Sequence, residues 1–296
     1  MNRPFASVIV GLLFSTVVLA QEPSSDPSSC QLVLVNTAEV LPNVSLAING
    51  ATSVLSTHRN LFHGNIALGI GGVAELTLGK SDGVINALGG PRSDVAWALK
   101  LKLFSKAQDQ PQIALRIQSS VGWISDELWP QDIQTYSPAL YRRGLYDSHY
   151  DLRLTSIEVL LSHQLFRNVG LHAGVGIEEI ATRGLWIIVG PAPFVGNGLH
   201  SPDIAQQLLL SGFLSLTVRV DSKFTLLTEI QSLPAVSPNI DLVKLNVDRA
   251  CVGSLAVRYS VLTPLALDGG IVVRTNPYTR NDVEMRLGLN TLLHFQ

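Results

Sequence analysis

The sequence predicts an all-β protein, a transmembrane antiparallel up-and-down β-barrel of about 12 strands, with ten as the alternative count. The 296 residues are 46% hydrophobic and 15% charged, and their mean hydropathy is +0.28. Soluble domains carry about 25% charged residues. After the first 20 residues no segment has the roughly 20 consecutive apolar residues that a membrane-crossing helix needs. Apolar and polar residues instead alternate with a period of two, as in strands that separate lipid from a lumen.

The N-terminus reads as an export signal. Arg3 supplies a positive start, residues 8–19 an apolar stretch, and Val18-Leu19-Ala20 the small-residue cleavage pattern. This pattern predicts a cleaved signal peptide over residues 1–20. We expect residues 21–41 to form an N-terminal periplasmic leader and residues 42–296 to form the barrel.

The period of two is clearest in residues 94–104. Val95, Trp97, Leu99, Leu101 and Leu103 occupy one face of this segment, and Ala96, Ala98, Lys100 and Lys102 occupy the other. A strand separates these two sets, whereas a helix would mix them. Six further segments repeat the pattern, at 112–123, 168–178, 208–220, 224–231, 254–261 and 283–295. A soluble sandwich also alternates, but these strands reach roughly 10 to 14 residues, which suits a tilted membrane crossing.

Strand ends follow from the connections between segments. Short links fall at 166–167, 221–222 and 263–264, and longer ones at 124–148, 183–205, 233–246 and 276–281. Membrane barrels have short periplasmic turns and longer extracellular loops, so both chain ends are expected in the periplasm. The predicted strands are 42–54, 60–69, 73–80, 94–104, 112–123, 150–164, 168–182, 206–220, 223–232, 247–262, 265–275 and 282–295. The first three are the least regular, and for this reason ten strands is the alternative.

One strand shows a break of phase. Leu152 and Leu154 share one parity, whereas Ile157, Val159 and Leu161 share the other. A β-bulge at Thr155-Ser156 would shift the phase in this way. The sequence therefore predicts a bulge in the sixth strand.

The chain ends in a run that resembles a known signal. Residues 285–295, MRLGLNTLLHF, resemble the terminal strand of Gram-negative outer-membrane β-barrels, although Gln296 follows the closing Phe295. Residues 36–42, NTAEVLP, also look like the start of the first strand in many such proteins. The resemblance implies the cell outer membrane as location, its lipid as surroundings, and recognition of the C-terminal strand by the barrel assembly machinery. It assigns no catalytic or ligand-binding residue.

Charged residues on the polar parity are the candidate lumen or ligand-binding groups. The candidates are Lys100, Lys102, Arg116, His172, Glu178, Arg219, Glu229, Arg258, Glu284 and Arg286; Glu75, Asp268 and Arg274 share this parity. Such charges can set the ion selectivity of a water-filled pore, or they can form ion pairs that fill a narrow barrel. Basic residues outnumber acidic ones in this set, which favours anionic solutes.

Other chemistry finds little support in the sequence. With 21 basic and 23 acidic residues the net charge is -2, which argues against nucleic acid as a partner. The seven histidines show no metal-ligand spacing, and no cofactor motif is present. Ser162 and His163 are neighbours, so on a strand they point to opposite faces and cannot pair as in a lipid hydrolase. We predict a pore or transporter for small solutes with a polar, mixed-charge lumen. The alternative is a closed barrel with a binding, adhesion or structural role through its outer loops, and a lipid-modifying enzyme is the third hypothesis.

Overall fold

A computed structural model describes most of the chain as β-structure. It describes residues 36–41, 44–56, 62–86, 90–104, 111–127, 145–189, 199–201, 205–239, 244–262, 264–275, 277 and 281–294. Within these ranges the strands are β1 (Ser45–Ser56), β2 (Phe62–Ile70), β3 (Ala74–Asn86), β4 (Gly90–Phe104), β5 (Gln112–Glu127), β6 (Leu145–Phe166), β7 (Val169–Val189), β8 (Leu199–Ser201), β9 (Ala205–Arg219), β10 (Phe224–Asn239), β11 (Lys244–Leu262), β12 (Leu265–Arg274) and β13 (Asp282–His294). The predicted signal peptide lies outside the described residues.

Twelve of these strands close into a ring. Each pairs antiparallel with its neighbours in sequence, β7 pairs with β9, and the ring closes where Ser45 of β1 lies opposite His294 of β13. The three-residue β8 stands outside the ring and pairs with the outer part of β7. The predicted up-and-down barrel of 12 strands is confirmed. Closure satisfies the backbone hydrogen bonds of every strand in the ring, which a lipid-exposed sheet requires.

The outside of the barrel is apolar. All twelve strands of the ring carry outward-facing large apolar side chains that are exposed, and Val95 reaches 70% exposure. One example from each strand in ring order from β1 to β13 is Ile48, Ile66, Leu78, Val95, Val121, Ile157, Val175, Leu210, Ile230, Leu255, Ile271 and Leu287. A continuous belt of this kind far exceeds the apolar patches of soluble monomers and matches the lipid-facing band of transmembrane barrels.

The two ends of the barrel differ. The inner end holds the short turns, and in the turn between β2 and β3 both Gly71 and Gly72 have positive φ, 62° and 65°, which glycine adopts at no steric cost. At the turn between β9 and β10, Asp221 Oδ1 accepts hydrogen bonds from the backbone N–H groups of Lys223 and Phe224. The short links predicted at 166–167, 221–222 and 263–264 lie at this inner end. The outer connections vary in length, from residues 128–144 between β5 and β6 to residues 87–89 between β3 and β4. The long link predicted at 233–246 is shorter than expected, because β10 runs to Asn239 and β11 begins at Lys244.

The predicted bulge at Thr155-Ser156 is wrong. Strand β6 keeps an unbroken register with β5 and β7 through these residues, and the shifts lie nearer its ends. Leu152 and Leu154 are each 2% exposed because they point into the barrel, whereas Ile157 points out. The strand is regular here, and the apolar residues lie on its lumen face up to Leu154 and on its outer face from Ile157. This change of face produced the break of phase in the sequence.

A segment before β1 lies inside the barrel. Residues 36–41 enter the inner end of the lumen, where Thr37, Ala38 and Leu41 are buried. Leu41 packs in a cluster with Ala47, Ala67 and Leu292 of the barrel wall. Residues 21–35 of the predicted periplasmic leader lie outside the described residues. We call residues 36–41 the inner segment.

The outer mouth is crossed by a hairpin. The ends of β3 and β4 bend inward after a register shift between Ser81 and Val84, which is how a bulge redirects a strand. Ile85 and Asn86 then pair in parallel with Ala235 and Val236 of β10. Within the described ranges, no α-helix has the length and apolar character needed to cross a bilayer.

Candidate functional site

A polar chamber occupies the middle of the barrel. About 170 Å³ is available there to water-sized molecules, and the chamber lies between the inner segment, whose Asn36 lines it, and the outer half of the wall. Carboxamide side chains that line it are Asn36, Asn49, Asn65, Gln118, Gln231 and Asn290; the charged lining residues are Lys80, Arg116, Glu158, Glu178, Asp268 and Arg286. Cavities with convergent polar groups are the usual binding sites of small molecules.

Glycines make room for the chamber. Those that line it are Gly50, Gly64, Gly79, Gly174, Gly176, Gly212, Gly270 and Gly288. Phe213 of β9 lies directly opposite Gly174 of β7, and a Cβ on Gly174 would overlap the aromatic ring. The ring therefore lies flat against the wall, and it packs on the buried cluster of Ala38, Ala114 and Leu160.

Two polar pairs hold the inner segment in place. In the first pair, Lys100 Nζ lies 3.1 Å from Glu75 Oε1. Lys100 also donates a hydrogen bond of 3.4 Å to the carbonyl oxygen of Thr37. Glu75 Oε2 accepts a hydrogen bond of 3.2 Å from the N–H of Leu41. Both charged side chains are at most 5% exposed. A buried charge needs a partner of this kind, since an unpaired one would cost several kcal/mol.

Ser162 and His172 form the second pair. Ser162 Oγ lies 2.8 Å from His172 Nδ1 and accepts a 2.8 Å hydrogen bond from the N–H of Ala38. The other ring nitrogen, Nε2, lies 3.4 Å from Thr217 Oγ1. A hydrolytic triad would place a carboxylate at this position. The pair therefore fits the anchoring of the inner segment, and the partner of Ser162 is His172 rather than its sequence neighbour.

Ion pairs line the side of the chamber formed by β5 and β6. Arg116 Nη1 lies 2.8 Å from Glu158 Oε2, and the same guanidinium donates a hydrogen bond to Gln118. Glu178 of β7 lines the chamber nearby. Arg116 and Glu158 are thus in contact with each other instead of presenting one sign of charge.

A second network joins β11, β12 and β13. Arg258 Nη2 pairs with Asp268 Oδ2 at 2.7 Å, and Asp268 accepts a further hydrogen bond from Asn290 at 2.7 Å. Glu284, which is fully buried, lies between Arg274 at 2.6 Å and Arg286 at 2.9 Å. Arg274 also approaches Asp282 at 3.4 Å. These contacts tie three strands together across the lumen wall.

The structure places all ten predicted site residues on lumen-facing positions, as judged from the burial pattern of their strands. Lys100, His172, Glu178, Glu229, Arg258, Glu284 and Arg286 are buried, and Lys102, Arg116 and Arg219 are half-buried. Arg116, Glu178 and Arg286 line the chamber. Lys100 and His172 anchor the inner segment, and Glu229 accepts a 2.7 Å hydrogen bond from Ser254. Whether any of the ten binds a solute stays a prediction.

Sequence reasoning missed several members of the site. Glu158 and Asp282 face the lumen beside Arg116 and Arg274, and adding them to the predicted set brings it to seven basic and seven acidic residues, so the basic surplus disappears. The alternation of the sequence could have identified both, because each lies two residues from a lumen-facing residue of its own strand, Glu158 from Ser156 and Asp282 from Glu284. The inner segment carried no such signal, since its burial depends on contacts more than 30 positions away.

Comparison with known proteins gives structural similarity alone. No family model and no curated protein matches the chain. The NanC porin is 11% identical, with 83% of this chain and 98% of that one covered and a TM-score of 0.47. The translocator domain of the autotransporter NalP from Neisseria meningitidis is 10% identical over 83% and 86%, with a TM-score of 0.47. The CymD monoaromatic hydrocarbon channel is 11% identical over 86% and 90%, with a TM-score of 0.43.

The described residues contain no group of three or more His, Cys, Asp or Glu side chains that could hold a metal ion. Cys251 is a free, exposed cysteine. The other cysteine, Cys30, lies outside the described residues. The chemistry of the site is therefore that of amides, hydroxyls, charged groups, the imidazole of His63 and the ring of Phe213.

Proposed function

We propose that the protein is a channel of the Gram-negative outer membrane that passes small polar solutes. The observation that carries this proposal is the polar chamber at the centre of a barrel whose outer surface is apolar. Polar and small side chains that leave a chamber open across the middle of a bilayer favour the entry of water or a polar solute. The C-terminal strand supports the location and an assembly route through the barrel assembly machinery.

The chamber favours solutes of low net charge. Arg116, Asp268 and Arg286 of its lining each contact a side chain of opposite charge in the wall. Lys80 also borders the chamber but lies opposite the outward-facing Val95. Charges that are paired in the wall present little net field to a solute. The amides can both donate and accept hydrogen bonds, which suits uncharged solutes that carry hydroxyl or amide groups.

Solute flux into proteoliposomes tests this function. A swelling assay would compare an uncharged sugar with an anion and a cation of similar size. Ala96 faces the chamber and Val95 faces outward, so Ala96→Trp should reduce flux by filling the chamber, and the matched Val95→Trp should leave it unchanged. Equal, measurable flux in the two variants contradicts a channel through this lumen.

The second candidate is a closed barrel that acts through its outer loops. One observation favours it: the hairpin of β3 and β4 crosses the outer mouth, and the inner segment occupies the other end. If neither the parent nor a variant without both obstructions conducts, this second candidate replaces the channel. Truncation of residues 132–148, most of which lie outside the described ranges, would then test the loop role.

A further inference from the structure

We infer that the inner segment is a hinged gate, which leaves the lumen to open the passage and returns to close it. The inference rests on the proposed channel function, and four observations carry it. They concern where the segment lies, what holds it, what its departure leaves behind, and the backbone at its end.

The segment lies where it obstructs the inner end of the lumen. Thr37, Ala38 and Leu41 are at most 1% exposed, so barrel wall or neighbouring chain surrounds them. Asn36 forms part of the chamber lining. A solute in the chamber therefore meets the inner segment on its way to the inner end.

Hydrogen bonds at separate points, together with apolar packing of Ala38 and Leu41, hold the segment against the wall. Its N–H groups at Ala38 and Leu41 donate to side-chain oxygens of Ser162 and Glu75, and its carbonyl at Thr37 accepts from Lys100. Water can replace each of these partners when the segment withdraws. The strands of the ring, by contrast, are held by continuous ladders such as the sixteen paired positions of β5 and β6.

Withdrawal leaves no buried charge without a partner. Lys100 and Glu75 contact each other directly at 3.1 Å, and Ser162 contacts His172 at 2.8 Å. Each pair is complete within the wall, so the segment adds contacts to it without being needed for it. The segment itself carries Glu39, which interacts electrostatically with His172. Its Oε2 atom is buried without a hydrogen-bond partner while the segment lies in the lumen, so withdrawal allows water to hydrate this carboxylate.

The hinge lies at Val44. This residue precedes β1 and has a φ of 50°, a left-handed conformation that is an outlier for a β-branched residue. Strained residues of this kind cluster at active sites, ligand clamps and switch regions. The strain exists while the segment is turned into the lumen, and a swing outward relieves it.

A reversible disulfide tests the gate in the full-length mature protein. Both native cysteines are first replaced, as Cys30→Ser and Cys251→Ser. Ala38→Cys with Ser162→Cys then joins the segment to the wall at the place where the N–H of Ala38 donates to Ser162 Oγ. The matched control is Ser260→Cys with Ala266→Cys, two facing wall positions of β11 and β12 outside the contacts given above for the segment.

Oxidation of the segment-to-wall pair should lower sugar flux at least tenfold, and reductant should restore it, whereas oxidation of the control pair should change nothing. Equal flux before and after complete formation of the segment-to-wall disulfide overturns the gate.

Labelling separates failure of the gate from failure of the channel, because it needs no flux. With Ala38→Cys as the one cysteine, a membrane-impermeant maleimide should react slowly in lipid nanodiscs and several-fold faster after Ser162→Ala, which removes the acceptor for the Ala38 N–H. An Ala266→Cys reference should react at the same rate with and without Ser162→Ala. If Ala38→Cys reacts only after the barrel is unfolded, the segment is a fixed part of the lumen and the gate is wrong, even if solutes permeate.

Discussion

Ile85 of β3 pairs in parallel with Ala235 of β10, although the two strands stand on opposite sides of the ring, six strands apart in either direction. The hairpin of β3 and β4 thus spans the outer mouth. Ala235 belongs to a buried apolar cluster with Leu233, Ala250 and Val252, so the hairpin contacts the wall at an apolar site. The outer obstruction and the inner segment bound the polar chamber between them.

Shortening the crossing hairpin should widen the passage. Ser81 and Asp94 face each other where the regular register ends, so replacing residues 82–93 with Asn-Gly gives a two-residue turn of the kind hairpins favour. We expect a larger single-channel conductance in planar bilayers. The variant must keep its SDS-resistant mobility before heating, and unchanged conductance in a folded variant would show that the hairpin does not limit flow.

A charge on the outer face should destabilise the barrel more than the same charge on its inner face. Leu210 is 65% exposed on the outside, and the adjacent Leu209 points inward and lies opposite Glu178. Leu210→Arg should cost about 2 to 4 kcal/mol if it lies near the bilayer midplane, and Leu209→Arg should cost clearly less. Urea titration in lipid vesicles measures both, and equal losses would contradict the assignment of faces.

Removing the charge of Glu284 should leave Arg274 and Arg286 facing each other without their shared partner. Loss of one member of a buried ionic group costs about 3 to 5 kcal/mol. We expect Glu284→Gln to lower the free energy of unfolding by this amount. Adding Arg286→Met should recover part of the loss, because Arg286 pairs with Glu284, and a double variant less stable than Glu284→Gln alone would contradict the pairing.

Val44→Asn should favour the closed gate. Asn adopts a positive φ more easily than Val, so the substitution removes strain of about 1 kcal/mol from the conformation in which the segment lies in the lumen. The maleimide labelling of Ala38→Cys should then slow by about fivefold. Faster labelling would place the strain in the open conformation instead.

Most of the fold could be predicted because alternation records which side chains meet lipid. The predicted strand 94–104 ends at the same inner residue as β4, Phe104. The predicted strand 265–275 agrees with β12 to within one residue at both ends. At the outer end, β10 continues to Asn239, past the predicted end at 232. Pro234 and Pro238 interrupted the pattern there, but β9 pairs with β10 only as far as Ser232. Beyond that point β10 is no longer paired with β9 and meets only Ile85 and Asn86 of β3 on that side, so proline is tolerated at 234 and 238 as at a sheet edge.

The two obstructions could not be predicted, because neither has a periodic pattern. The inner segment, Asn36 to Leu41, is placed by single contacts to strands far away in sequence. The crossing of the mouth depends on a register shift between Ser81 and Val84. Such features require the completed ring, whereas alternation along a strand is a local property.

Planar-bilayer conductance of the parent and of a variant that lacks both residues 22–41 and the crossing hairpin tests the central claim most directly. A water-filled path through the barrel predicts brief, small openings in the parent and a steady, larger conductance in the variant, with little preference for anions or cations. A correctly folded variant that carries no current at any voltage would contradict the claim, because nothing described in the lumen would then remain to block it.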